Sequence, residues 1–123
     1  MLVRGVRGAI TVDDNEPKEI TERVIELLTA LQEANQFDLE DIAAVIFSST
    51  PDLNAGFPAA AARAIGWAEV PLFGTQEIDH QQGLPLCVRV LLLWNTERMA
   101  KEIRHIYLRG ARTLRTDIPS ITE

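Results

Sequence analysis

The sequence predicts an α+β fold, a mixed β-sheet with helices on one face. Three observations carry that prediction. Apolar, β-rich runs stand apart along the chain at 2–10, 42–49 and 86–94. A long segment between the first two repeats its apolar residues at helical spacing. The 123 residues, 46% of them hydrophobic, suffice for one core, so 1–123 is read as a single domain.

The elements follow in order. Residues 2–10 form a strand containing Gly5 and Gly8, and glycine inside a strand marks a bulge or a close backbone approach. Asp13-Asp14-Asn15-Glu16-Pro17 is a helix start, with capping side chains, acidic character and an early proline. Ile20, Val24, Leu27, Leu28 and Leu31 then lie on one stripe of a helix over Pro17–Asn35. Residues 38–41 make a short helical turn, and Ile42–Ser49 a buried strand. A loop leads to Pro58, which opens a short alanine-rich helix to about residue 65. Residues 67–77 are extended, and Pro71 within them indicates a sheet edge or a bulge. Residues 86–94 are a strong strand, after which Asn95-Thr96 caps a short helix to about Lys101. Residues 103–108 and 111–114 are two short strands around Gly110, and the polar segment 116–123 is a mobile tail. One face of such a sheet has no helix to cover it, which requires an oligomer.

Composition removes several functions. The net charge is −6, a poor match to nucleic acid, whose phosphates need a basic face. The charge is uneven: residues 1–62 carry four basic groups against eleven acidic, and residues 63–123 carry eight against seven. Ten of the twelve basic residues are arginine, whose planar fork grips carboxylate or phosphate. No run approaches the roughly 18 apolar residues of a membrane span. The single cysteine, Cys87, excludes an intrachain disulfide and suits a reducing, cytoplasmic setting. With only His80 and His105 to join it, no metal site is expected.

The chemistry that remains is arginine on strands. No nucleophilic triad and no phosphate-cradling glycine loop stands in the chain, so nucleotide cofactors drop out. Alternation along a strand sends Arg4 and Arg104 to solvent. Arg89 differs, because its neighbours Val88, Val90, Leu91, Leu92 and Leu93 are apolar. A charge there must be paired or must line a cavity. Glu77, ending an apolar extended segment, poses the same question, and a salt bridge to an arginine is its plainest answer.

Several motifs together resemble a known family. They are Arg4-Gly5-Val6-Arg7-Gly8-Ala9; Thr50-Pro51-Asp52-Leu53-Asn54-Ala55, leading to Phe57-Pro58-Ala59 and Arg63; Gly66-Trp67, Pro71 and Gln76-Glu77; Cys87-Val88-Arg89-Val90; and Ile103-Arg104-His105-Ile106-Tyr107-Leu108, with Ala111 and Leu114-Arg115. In this order and spacing, from residue 4 to residue 115, the chain resembles the small monofunctional chorismate mutases of the AroH class.

The resemblance implies a homotrimeric pseudo-α/β barrel with active sites at subunit interfaces. It implies the Claisen rearrangement of the chorismate dianion to prephenate, toward phenylalanine and tyrosine, with no cofactor and no metal. Arg89 would be the cation beside the ether oxygen, and Glu77 would accept the ring hydroxyl and face the developing positive charge. Arg7 and Tyr107 would hold the side-chain carboxylate. Arg63 and Arg115 would offer positive potential to the ring carboxylate. Phe57, Ala59 and Leu114 would form an apolar wall, with Phe73, Gly74, Thr75 and Gln76 lining the pocket. The family carries lysine where this chain has Ala60, often Thr-Cys at Phe73-Gly74, and Pro-Asp-Leu at Thr116-Asp117-Ile118. Two other readings are a RidA-like trimeric imine deaminase or small-carboxylate-binding protein, and a non-catalytic subunit docking through the acidic helix at Pro17–Asn35.

Overall fold

A computed structural model describes residues 2–114. The elements are β1 (Leu2–Thr11), α1 (Pro17–Asn35), β2 (Ile42–Ser49), α2 (Pro58–Ala64), β3 (Leu72–Gln76), β4 (Cys87–Thr96) and β5 (Ile106–Leu108), with 3₁₀ turns at Leu39–Asp41, Ala100–Glu102 and Arg109–Leu114. The strands form one mixed sheet in the order β3-β2-β4-β1-β5. The central pairs β1–β4 and β2–β4 are antiparallel, and the outer pairs β1–β5 and β2–β3 are parallel.

Alternation sorts the sheet into two faces. Val6, Ile10, Val45, Phe47, Val88, Val90, Leu92 and Trp94 join the α1 stripe and Ala61 and Ala62 of α2 in the main core. Phe37 stacks edge-on against both Trp67 and Trp94, at 6.0 and 5.8 Å. On the opposite face, with Arg7, Ile46, Phe73, Arg89 and Leu91, no α-helix lies among the described residues; only the 3₁₀ turn Arg109–Leu114 packs there, against Ala9, Cys87 and Tyr107. Phe73 there is 65% exposed and Val3 57%.

The start of α1 is as the sequence suggests. The Glu16 carboxylate accepts from Glu19 N–H at 2.9 Å, and Pro17 occupies the first turn. β1 pairs with β4 over ten residues without a break, so neither glycine makes a bulge. Gly8 is the close approach instead: a Cβ there would stand 2.9 Å from Leu31 and 3.2 Å from Leu27 of α1. β3 is an edge strand, as Pro71 indicated.

Four expectations need correction. Residues 111–114 are not a strand but part of a 3₁₀ turn. Arg109 there has φ of +54°, and Gly110 N–H bonds the Thr11 hydroxyl at 2.9 Å, which turns the chain off the sheet. Asn95 and Thr96 do not cap a helix; they extend β4 opposite Val3 and Leu2, and the turn that follows is only Ala100–Glu102. In 67–77 only Leu72–Gln76 is strand. In 103–108 only Ile106–Leu108 is strand, because the Arg104 backbone is bonded to the Asn35 side chain. The expected mobile tail 116–123 lies outside the described residues. Among those residues no helix is long and apolar enough to cross a membrane.

Candidate active site

Two hollows gather most of the residues singled out in the sequence. The first, about 350 Å³, opens on the uncovered face of the sheet. Register explains its composition. Ala9 of β1 pairs with both Arg89 and Tyr107, and Ser48 of β2 also pairs with Arg89, so these side chains share a face. Arg7, Glu77, Arg89, Tyr107 and Leu114 all line it, together with Ile46, Ser48 and Leu91.

Arg89 and Glu77 form its charged centre. Arg89 Nε lies 3.5 Å from a Glu77 carboxylate oxygen, with side chains 47% and 29% exposed. Arg89 therefore meets both demands made of it: it is paired, and it lines a hollow. Arg7 is held through its backbone, whose N–H donates to His105 Nδ1 at 2.9 Å. Tyr107 packs with Ala9, Cys87 and Ala111 in a small second core. Burial pushes the Cys87 thiol up to about 11, with the Arg89 cation offsetting part of that rise. Cys87 is thus a neutral core group near pH 7, not a nucleophile.

The second hollow, about 620 Å³, lies between the β2–α2 loop and β3. Phe57, Ala59, Gly74, Thr75 and Gln76 line it, with Ser49, Thr50, Pro51, Leu53 and Asn54. Phe57 is 80% exposed at its rim. The two hollows have no lining residue in common.

Two of the described sequence candidates line neither. Arg63 is exposed on the last turn of α2. Phe73 stands on the uncovered face, paired with Ile46. Arg115 lies outside the described residues. Sequence reasoning missed Ile46, Ser48 and Leu91. The signal was available, because Ile46 and Ser48 share one parity of β2, as Arg89 and Leu91 share one parity of β4. Among the described residues, no three His, Cys, Asp or Glu side chains converge as a metal site would need.

The family model for chorismate mutase type I matches residues 3–118. The chain belongs to the type I chorismate mutase family. Similar proteins include chorismate mutase AroH of Thermus thermophilus, 48% identical over 97% of this chain and 98% of the relative. Chorismate mutase AroH of Bacillus subtilis is 40% identical over 96% of this chain and 94% of the relative. A solved chorismate mutase from Clostridium thermocellum superposes with a TM-score of 0.87 at 42% identity, over 89% of this chain and 97% of that one. Family membership leaves the imine-deaminase reading without support.

Proposed function

We infer that the chain rearranges chorismate to prephenate in a homotrimer, at sites formed between neighbouring subunits. The observation that carries the reading is the Arg89–Glu77 pair in one hollow with Arg7 and Tyr107. The rearrangement is unimolecular: one C–O bond breaks, one C–C bond forms, and no group is transferred to the protein. Catalysis then needs no nucleophile. It needs a compact conformer and stabilised charge separation.

Arg89 serves the negative charge that gathers on the ether oxygen. Glu77 accepts the ring hydroxyl and faces the positive charge of the ring fragment. Arg7 and Tyr107 bind the side-chain carboxylate, Arg63 and Arg115 serve the ring carboxylate, and Phe57, Ala59 and Leu114 form the wall. Phe73, Gly74, Thr75 and Gln76 line the pocket partly through backbone. Ala60 supplies no cation, but Arg63 lies three residues on and so on the same side of α2.

Two features support the shared site. The uncovered face is apolar at Ile46, Phe73 and Leu91, which favours burial against another copy. Most of the residues implied for one small substrate are divided between two separate hollows of one chain. A neighbour's second hollow set against the first would complete the set. The lone, buried Cys87 suits a reducing cytoplasm.

The test is the disappearance of chorismate, followed by ultraviolet absorbance with EDTA-treated protein. Turnover to prephenate without added metal is expected. Turnover no faster than the buffer background would sink the assignment.

A further inference from the structure

Thr50 and Pro51 are given no role above beyond lining the second hollow, and Asp52 lines neither hollow. Its hydrogen bonds give it a different task. Leu86, the residue before β4, has φ of +51°, the left-handed region that leucine disfavours. It is held from two sides. Its N–H donates to the two Asp52 carboxylate oxygens at 3.0 and 3.2 Å, and its carbonyl accepts from Val12 N–H at 2.8 Å.

Thr50 completes the clamp. Its hydroxyl donates to Asp52 at 2.5 Å and accepts from Cys87 N–H at 3.0 Å. Its own N–H donates to the Cys87 carbonyl at 3.0 Å. Arg89 leaves the strand two residues beyond Cys87. On the other side, Glu77 N–H donates to the carbonyl of Ser49, the residue before Thr50, at 2.8 Å. One cluster therefore anchors both backbones that carry the 3.5 Å Arg89–Glu77 contact.

We propose that Asp52, acting through Thr50 and the Leu86 backbone, is a positioning residue that sets Arg89 against Glu77. This rests on the chorismate mutase reading, because the effect is read in that reaction. Asp52 is exposed, so its removal opens no core cavity. A small displacement of a preorganised cation can lower the rate by as much as about 10²-fold.

The experiment compares Asp52→Ala, Asp52→Asn and Thr50→Val with the unaltered full-length protein. Asp52→Ala and Thr50→Val should lower kcat about tenfold or more while KM shifts much less, with Asp52→Asn between them and the unaltered protein. Combined with Arg89→Ala, Asp52→Ala should lower the rate little further, since its effect passes through the missing guanidinium. Kcat within twofold of the unaltered protein, or a loss adding in full to that of Arg89→Ala, would overturn the proposal. Should Asp52→Ala fail to fold, Asp52→Asn carries the same comparison. The Arg89 Nε–H NMR resonance gives a readout independent of turnover: it should move in Asp52→Asn, and an unmoved resonance would also overturn the clamp. A chain that turns over no chorismate fails at the assignment of the reaction, and the NMR arm still judges the clamp.

Discussion

The Arg89–Glu77 pair is too exposed, at 47% and 29%, to matter much for stability, since such pairs contribute about 0–1 kcal/mol. Its value lies in aiming two opposite charges into one hollow. Arg89→Lys tests that role. Lysine keeps the charge but lacks the planar fork, so kcat should fall at least about 10²-fold, as for loss of one preorganised donor. The melting curve should hardly move. Near-normal kcat would remove Arg89 from the mechanism. This residue was legible in the sequence because a charge inside an apolar run demands an explanation. Its partner was less so, since nothing between positions 77 and 89 states that the two ends meet. The contact depends on β4 lying beside β2, a long-range pairing that local pattern does not encode. Asp52 was illegible as a working residue for a similar reason. Its hydrogen-bond partner Leu86 lies 34 residues away.

At the scale of elements, side chains stand in for missing backbone partners near β5. Asn35, fully buried at the end of α1, bonds the Arg104 N–H at 2.9 Å and its carbonyl at 3.0 Å, much as a neighbouring strand would. Next to it, His105 takes the Arg7 N–H. Asn35→Ala should therefore destabilise the fold by about 1–3 kcal/mol, leaving a backbone donor unpaired. A lower denaturant midpoint with an unchanged slope would register this. An unchanged midpoint would mean that water replaces the amide at no loss. The long elements were readable because each has a full period of its own: the α1 stripe, and the apolar runs of β2 and β4. The short ones were not. Whether 103–105 and 111–114 pair as strands is decided by Asn35, Thr11 and the left-handed Arg109, all tertiary features. Asn95 and Thr96 resemble a helix cap locally, and only the long reach of β1 recruits them to the sheet.

The described residues form a sheet with α1 and α2 on one face and no α-helix on the other, and that much followed from the order of strands and helices along the sequence. The proposed shared sites would give the assembly a distinctive signature. Arg89→Ala disables the first hollow, and Ala59→Glu sets a carboxylate in the second, facing a dianion. Each variant alone should be nearly inactive. Co-refolded at equal amounts, they should regain about a quarter of full activity, because random closed trimers of the proposed kind would rebuild that share of sites from two unaltered halves. Mixtures no better than either variant would show that each subunit holds its own complete site. The face bearing Phe73 and Leu91 has a further consequence. An active site divided between chains, as proposed, would obey mass action, and activity per chain would then depend on how many chains are present. Dilution below the dissociation constant of the proposed trimer would separate the halves of every site at once. The newly made chain would meet the same law, because its apolar face, exposed at Phe73, would have to find a twin before it finds an aggregate.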